Sequence, residues 1–275
     1  MNWFCRIIGL FTLLAGSLFS CAGTLAQFRT LLGDVEVELF DADKPATVEN
    51  FLRYVKSGAY NKMILHRWKP GFVIQGGGFY VASRSGTNSI DPIPIFGTVT
   101  NEYNVGRTFS NVYGTLAMAR VGGATNSASS QWFINLANNA FLDSVDGGFT
   151  VFGRVLRGTN VLNRFNNTSS SNSIFRLALA SPLEDLPVLS AAPTFQDLAY
   201  ADISLLSVQV MPKGAGGRDV SWMSVSNRPN HLEFTTDFRQ SWKILVSTNG
   251  TGKTIQIHDT DTASSSRFYR VRVDY

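Results

Sequence analysis

The sequence predicts a mostly β protein with two helices and a small all-β module at its C-terminal end. Residues 28–40 alternate between apolar and polar or acidic side chains, which is the pattern of a half-buried strand. Helical spacing of apolar residues is confined to residues 43–58 and 158–166. Within residues 218–275 short strand-like runs recur, and Asn249-Gly250 between two of them is a hairpin signal. These patterns together favour an architecture built mainly from sheets.

Several boundaries follow from local signals. The first helix is expected to begin with Asp43 as its N-cap, because a proline follows within the first turn. Residues 80–99 and 166–199 are rich in small, polar and proline residues, and both are expected to be loops. The second is expected to be extended, and a short helix within it is the alternative. Residues 201–211 are expected to form the strand that closes the main domain.

The chain is expected to divide into two folded parts. Its 275 residues and 44% hydrophobic content suit one or two globular domains with a sizeable core. Residues 27–211 form the main domain, and the glycine-rich residues 212–217 are predicted to be a linker. Residues 218–275 form the small all-β module, which carries no catalytic constellation and has an unknown role.

Composition excludes several classes of partner. The net charge of +4 is small and scattered, and no basic run alternates with aromatic residues, so no nucleic-acid partner is expected. The three histidines, His66, His231 and His258, are too far apart in sequence to suggest a zinc site. The triple glycine at 76–78 lacks the Gly-Lys-Ser/Thr ending of a phosphate loop, so a turn or close packing is favoured there. No metal and no cofactor are predicted.

Residues 1–26 are predicted to be a signal peptide. The apolar stretch at 7–19 follows one arginine and is too short to span a bilayer, so no membrane span is expected. Residues 24–26 suit a signal peptidase, and cleavage after them is favoured. The alternative is a lipoprotein box that makes Cys21 a lipid anchor. Both cysteines, Cys5 and Cys21, lie in this segment, so no disulfide is expected in the mature protein. The protein is expected to be exported and to be periplasmic or extracellular.

Residues 63–79 are the stretch around which the main domain is organised. Strand-like residues 63–68 and 72–75 are joined by a Lys-Pro-Gly turn. On two paired strands Arg67 and Gln75 would lie close together on one face, beside an apolar patch. For this stretch alone, a hairpin with a surface arginine is the alternative interpretation.

Three blocks of sequence, in order, resemble the cyclophilins, which are peptidyl-prolyl cis-trans isomerases. They are residues 65–77 (LHRWKPGFVIQGG), 114–134 (beginning GTLAMAR) and 141–155 (beginning FLD), within a resemblance that covers roughly residues 28–211. The resemblance implies a closed eight-stranded antiparallel barrel capped by two helices. It also implies isomerisation of X-Pro bonds in proline-containing polypeptides, which are expected to be exported proteins because of the predicted signal peptide. The bacterial branch of the family is the more similar one.

The resemblance also implies a role for individual residues. Arg67 would be the catalytic donor that stabilises the twisted amide, and Gln75 and Gln131 would hold Arg67 and the substrate backbone. Phe141 replaces a tryptophan of the cyclosporin-sensitive members, which implies weak cyclosporin binding. The remaining substrate-binding positions would line the proline slot or the groove beside it: Phe72, Val73, Ala119, Arg120, Phe133, Leu142 and Phe149.

Two functions remain open at this point. One is an exported isomerase, and the alternative is a non-catalytic module of the same fold that binds proline-containing peptides without turnover. Arg120 stands where eukaryotic members have asparagine, and the resemblance implies that its backbone contact with the peptide survives any side chain. His66 is assigned no role, because a single histidine in an apolar strand is more often packed than catalytic.

Overall fold

The computed structural model describes residues 23–206, 208–213, 216–224, 228–237, 240–251, 253–264 and 266–273. Most of the expected signal peptide, with Cys5 and Cys21, lies outside these residues. Its last three residues belong to the fold, because Leu25 and Ala26 open the first strand and Thr24 pairs with Leu39. Over the described ranges, no helix is both long and apolar enough to cross a membrane.

The main part of the chain forms one large antiparallel sheet and two α-helices, which confirms the mostly β fold class. The helices are α1 (Pro45–Lys56) and α2 (Thr159–Asn166). The strands are β1 (Leu25–Thr30), β2 (Gly33–Leu39), β3 (Met63–Ile64), β4 (Arg67–Lys69), β5 (Val73–Gly76), β6 (Phe79–Arg84), β7 (Thr87–Pro92), β8 (Thr115–Met118), β9 (Trp132–Asn135), β10 (Val151–Arg157) and β13 (Tyr200–Leu205). These eleven strands are hydrogen-bonded in the order β4-β5-β9-β8-β10-β2-β1-β13-β3-β6-β7.

Residues 63–69 pair with different strands at two separate places in this sheet. Only Leu65 and His66 separate β3 from β4, although the two strands stand at different places in the strand order. The Leu65 N–H donates to the carbonyl of Ala199, at 2.9 Å, and the His66 N–H donates to the carbonyl of Gln75, at 3.0 Å. The segment therefore pairs with β13 through its first half and with β5 through its second half.

The two expected loops contain strands. Within residues 80–99, β6 and β7 form a hairpin whose turn, Ser85-Gly86, has both φ angles positive, as a tight hairpin turn requires. Within residues 166–199, β11 (Phe175–Leu177) and β12 (Leu186–Val188) form a second hairpin. Leu186 and Val188 of that hairpin pack with Ile64 in a cluster beside the main core. The expectation that these stretches are loops was wrong where the hairpins lie, because tertiary packing makes strands of mostly polar residues. Short helical turns do occur within 166–199, at Ser170–Asn172 and Phe195–Asp197.

The core lies between the inner face of the sheet and the two helices. Apolar residues of α1 and α2 are buried there against residues of the strands. Phe28 of β1 packs edge-on against Trp132 of β9, with ring centroids 4.9 Å apart, and stacks on Phe51 of α1. Burial of these aromatic rings supplies much of the hydrophobic stabilisation of the domain.

The start of α1 is held by a distant carboxylate rather than by the expected N-cap. The Glu102 carboxylate accepts hydrogen bonds from the N–H groups of Ala46 and Thr47, while Asp43 accepts one from the Arg107 N–H. Lys44 is 1% exposed, and its Nζ donates to the carbonyls of Glu102, Tyr103 and Val105. Burial lowers the pKa of Lys44, and the nearby carboxylates Asp43 and Glu102 oppose that shift.

The C-terminal part consists of two three-stranded sheets, as the prediction of a small all-β module requires. One contains β14 (Val208–Pro212), β15 (Arg218–Met223) and β18 (Thr254–Asp259), and the other contains β17 (Lys243–Asn249), β16 (Pro229–Thr235) and β19 (Phe268–Val273). Their shared core contains Val220, Trp222, Leu232, Val271 and Val273.

Three details of this region differ from expectation. The strand expected at 201–211 is divided, because β13 ends at Leu205 and β14 pairs with β15. The residues expected to be a linker, 212–217, therefore connect two paired strands. Asn249-Gly250 does not close a hairpin, since β17 pairs with β16 and β18 pairs with β15. The Gly250 N–H instead donates to the carbonyl of Arg228.

Replacement of the buried lysine is predicted to destabilise the domain. Lys44→Met should lower the free energy of unfolding by about 2–4 kcal/mol, because three buried carbonyl oxygens lose a charged donor. Urea denaturation followed by tryptophan fluorescence measures the change. Lys56→Met, on the exposed end of the same helix, is the matched control and should change stability by less than about 0.5 kcal/mol. Equal effects of the two substitutions would contradict the prediction.

Candidate active site

The β4–β5 hairpin places Arg67 on the outer face of the sheet. Arg67 lies directly opposite Gln75 in the strand register, as expected from the sequence. Successive side chains of a strand point to opposite faces, so Trp68 points into the core, where it is 5% exposed. The Trp68 indole N–H donates to the Phe165 carbonyl at 2.7 Å, which anchors the strand with Arg67 facing outward.

A row of paired residues crosses four strands at this point. Arg67 pairs with Gln75, Gln75 pairs with Phe133, and Phe133 pairs with Ala117. Directly paired residues share a face of a sheet, and neighbouring strands are about 4.8 Å apart. The guanidinium of Arg67 and the ring of Phe133 therefore stand about two strand spacings apart on one face.

The guanidinium of Arg67 keeps its donors unused. Its Cζ lies 5.7 Å from the centroid of the Phe72 ring. Within the part of the chain that the structure describes, the side chain makes no hydrogen bond or ion pair, and in particular none to Gln75 or Gln131, which were expected to hold it. A guanidinium is permanently charged and presents its donors in a fixed plane, so this side chain can bind an acceptor on a ligand.

The two glutamines hold each other and contact the neighbouring histidine. Gln75 Nε2 donates to Gln131 Oε1 at 2.7 Å, and His66 Nε2 lies 3.2 Å from the same oxygen. With this amide orientation His66 carries its proton on Nε2, and the Gln131 NH₂ group keeps its donors for a ligand. His66 thus has a role that the sequence did not suggest; its position beside Arg67 in the strand was the one available signal.

Burial decides the charge of His66. The residue is 2% exposed, and loss of solvation lowers its pKa to about 4. That pKa is the net result of burial and the positive charge of Arg67, which lower it, and of hydrogen bonds to Gln131 and the Ile64 backbone, which oppose the shift. The edge of the Phe79 ring packs against the imidazole. His66 is therefore neutral at neutral pH.

The triple glycine allows this close packing, as predicted. A Cβ atom on Gly78 would lie 2.8 Å from His66 Cε1 and 3.1 Å from the side-chain amide carbon of Gln131. Gly77 has a φ of +77°, and a Cβ atom there would lie 2.3 Å from the carbonyl oxygen of Ser130. Larger residues would push the two amides out of their arrangement.

A second apolar cluster, which we call the slot, lies next to Arg67 and is separate from the main core. Phe72 stacks on Phe141 with centroids 5.8 Å apart, and Phe133 meets the edge of Phe149 at 5.9 Å. Phe141 is 58% exposed and forms the outer rim. The cluster contains six of the residues that were expected to bind substrate: Phe72, Val73, Ala119, Phe133, Leu142 and Phe149.

The side chain of Arg120 does not lie along the groove as a surface residue would. It is 2% exposed, and its Cζ sits 4.1 Å from the centroid of the Phe149 ring. Arg120 Nη2 donates to the carbonyls of Val145 and Asp146. The sequence did not indicate this position of the guanidinium, because spacing cannot show that the chain folds over it. The implied backbone contact of Arg120 with a peptide stays a prediction.

The face offers hydrogen-bond donors beside an apolar slot. In the described residues no group of three or more His, Cys, Asp or Glu side chains could hold a metal ion. A ligand with an apolar ring next to an amide would fill the slot with its ring and bring its polar atoms to Arg67 and Gln131. Proline within a peptide has that shape and chemistry.

Comparison with known proteins gives the same family as the motifs. The family model described as cyclophilin type peptidyl-prolyl cis-trans isomerase matches residues 25–191. A peptidyl-prolyl cis-trans isomerase of Acinetobacter baylyi is 38% identical over 56% of this chain and 78% of that protein. Peptidyl-prolyl cis-trans isomerase B of Escherichia coli is 39% identical over 54% of this chain and 88% of that protein.

A solved structure, that of a Cryptosporidium parvum cyclophilin type isomerase, is 24% identical, with a TM-score of 0.47 over 67% of this chain and 98% of that chain. The family model spans more than half of this chain, and the bacterial relatives are covered over most of their length. The matched residues 25–191 include the Arg67 hairpin, both glutamines and the whole apolar slot. The chain therefore belongs to the cyclophilin-type peptidyl-prolyl cis-trans isomerase family.

Proposed function

We propose that this chain accelerates rotation about X-Pro peptide bonds of exported proteins, and that Arg67 stabilises the twisted amide. The observation that carries the proposal is the row from Arg67 to Phe133, in which a guanidinium with unused donors shares a face with an apolar slot. Membership of the isomerase family supports the reaction.

The chemistry of the X-Pro bond explains why a donor and a slot suffice. Rotation breaks amide resonance and has a barrier of about 18–20 kcal/mol. In the twisted transition state the proline nitrogen becomes pyramidal and carries a lone pair. A donor aimed at that nitrogen, or at the prolyl carbonyl, stabilises the twisted form more than either planar form. No nucleophile, base or metal takes part in such a rotation.

Each part of the site has a role in this mechanism. The proline ring enters the slot between Phe72, Phe133 and Phe149, which excludes water from the amide. Arg67 donates to the prolyl group, and the Gln131 NH₂ donates to a backbone carbonyl of the client. The Gln75–Gln131–His66 contacts orient that amide before the client arrives, so little ordering is needed in the complex.

The closed barrel implied by the family is part of the proposal. If β3 and β4 are one bent strand, the hydrogen-bonded order returns on itself at Leu65-His66. The hairpin of β6 and β7 then extends the sheet outside the barrel. Closure would fix the distance between Arg67 and the slot. The eight strands would be β1, β2, β5, β8, β9, β10, β13 and the joined β3–β4.

Weak cyclosporin binding is also proposed. Phe141 forms the exposed rim of the slot and stacks on Phe72. A phenyl ring there provides an apolar surface but lacks the N–H donor of the tryptophan found in cyclosporin-sensitive members.

Removal of the free guanidinium is predicted to abolish most of the activity. Arg67→Ala should lower kcat/KM for a short Ala-Pro peptide by roughly 100- to 1000-fold, the usual effect of losing one transition-state donor. NMR exchange between the cis and trans peptide measures the rate. Arg84→Ala is the matched control, since its side chain is 72% exposed and pairs with Asp91 on the β6–β7 hairpin. A folded Arg67→Ala variant with parental activity would exclude the mechanism, and a parent that binds the peptide without turnover would favour the non-catalytic module.

The activity is predicted to be independent of pH between about 5.5 and 8.5. Arg67 stays charged over this range, and His66 stays neutral because its pKa is about 4. Stability behaves differently, because unfolding returns His66 to its usual pKa of about 6.5. The unfolded chain then binds more protons than the folded one between pH 6.5 and 4, so the His66 contribution to stability is lost as the pH falls through that window.

Measurements of kcat/KM and of urea stability across this pH range test the predicted pH dependence of activity and of stability. His66→Gln keeps a donor for Gln131 and has no titrating group, so its stability should fall less steeply below pH 6.5 than that of the parent. A bell-shaped activity profile centred in the neutral range would contradict the mechanism, because it would indicate a titrating acid or base.

We further propose that the protein is exported and that its processing site lies before Thr24. The Thr24 N–H and hydroxyl both donate to the Asp41 carboxylate at 2.7 Å, and the Thr24 carbonyl accepts from the Leu39 N–H. The Leu25 carbonyl accepts from the Leu206 N–H, and Ala26 is fully buried. Cleavage after residue 26 would remove all of these contacts. Processing at Cys21, with attachment of lipid to that cysteine, would keep them.

Expression of the full chain in a Gram-negative host with labelled palmitate tests this arrangement. The parent and the Cys5→Ser variant should be labelled and found in the membrane fraction, and the Cys21→Ser variant should carry no label. Mass determination of the mature N-terminus gives the cleavage position directly. An unlabelled mature protein that begins at Gln27 would contradict the proposal.

A further inference from the structure

The wall of the slot that carries Phe149 is a loop with an unfavourable backbone. Asp146, Gly147 and Gly148 all have positive φ angles, of 47°, 83° and 82°. Glycine adopts such angles freely, but an aspartate does so at a cost. The three residues join the short helical turn that carries Leu142 to the strand that follows Phe149. Leu142 and Phe149, which form two walls of the slot, are thus joined by a loop whose conformation is not favoured by local backbone preferences.

Neighbouring side chains hold this loop from outside. Asn101 Nδ2 donates to the carbonyls of Gly147 and Gly148, at 3.2 and 2.9 Å. The Thr125 hydroxyl donates to the Asp146 carbonyl at 3.1 Å. These contacts fix the backbone of the loop, and neither side chain is among those that pack on the Phe149 ring.

Arg120 contacts both the loop and the ring. Its Nη2 donates to the carbonyls of Val145 and Asp146, at 2.8 and 3.0 Å, and its Nη1 lies 3.7 Å from the Asp146 carboxylate. The guanidinium Cζ is 4.1 Å from the centroid of the Phe149 ring. A guanidinium stacked on an aromatic face is attracted by the ring, more strongly where water is excluded. Arg120 therefore fixes the ring of Phe149 and its backbone support together.

We propose that Arg120 is a positioning residue that sets the width of the proline slot through Phe149. This inference rests on the proposed isomerase function and adds to it a residue that determines which size of substrate ring the slot accepts. The Arg120 side chain is buried, its guanidinium lies over the ring of Phe149, and the same ring also contacts Phe133. Displacement of the Phe149 ring would loosen the slot while leaving Arg67, Gln75 and Gln131 in place.

The proposal predicts a kinetic signature that differs from that of Arg67. The slot walls hold the proline ring equally in the planar and twisted amide, so weakening them raises KM and leaves kcat nearly unchanged. Arg120→Met, which has a similar length but no donors, should raise KM for an Ala-Pro peptide roughly tenfold, with kcat within about twofold. Arg120→Lys retains donors without a planar guanidinium and should give an intermediate KM.

Ring size provides a second measurement that a general loss of structure would not reproduce. A peptide with pipecolate, the six-membered homologue of proline, should be rejected by the parent and accepted better by Arg120→Met. The ratio of kcat/KM for the two peptides should therefore fall several-fold in this variant. Arg154→Met is the control, since Arg154 is 59% exposed on the same sheet and pairs with Glu38.

A double-mutant comparison decides whether Arg120 acts through Phe149. In a Phe149→Leu background Arg120→Met should change KM by less than about threefold, because the ring that it positions is gone. A tenfold effect that persists without Phe149, or a loss of kcat with unchanged KM, would overturn the proposal. Should the parent bind but not isomerise the peptides, the proposed function fails; the dissociation constants of the same peptides then decide the role of Arg120 by the same comparison.

Discussion

The register between β4 and β5 is the constraint on which the site depends. With Arg67 opposite Gln75, the donor, both glutamines and Phe133 share the outer face. A shift of one residue would turn Arg67 into the core and Trp68 toward solvent. Burial of Trp68 and its hydrogen bond to the Phe165 carbonyl oppose that shift. A residue of the core thus determines the direction in which the proposed catalytic residue points.

The two sides of the slot are stabilised by different means. On one side Val73 and Phe133 belong to paired strands, so backbone hydrogen bonds fix them. On the other side loops are fixed by buried polar side chains. Lys44 holds the carbonyls of residues 102, 103 and 105, Asn101 holds those of residues 147 and 148, and Arg120 holds those of residues 145 and 146. Because buried donors cost much when unpaired, these loops have few alternative arrangements.

Sequence patterns predicted the elements that local residue order specifies. They failed for elements and contacts that form only when distant segments pack together. The helix at 45–56, the Arg67 hairpin and the C-terminal strands have clear periodicity or turn signals. The hairpins within 80–99 and 166–199 consist of short or polar strands that form because other strands and apolar clusters accept them. The roles of His66 and Arg120 depend on contacts with residues up to 65 positions away, which spacing cannot show.

The two arginines of the site show that burial determines what the same side chain can do. The side chain of Arg120 is buried, with Nη2 donating to carbonyl oxygens and the guanidinium face against Phe149, so burial keeps it away from a client. Arg67 has its guanidinium beside Phe72 without an acceptor among the described residues, so it cannot hold a loop but can respond to a client. A family motif identifies an arginine, and in the proposed mechanism its burial and hydrogen-bond partners distinguish the donor to a client from the residue that holds the slot.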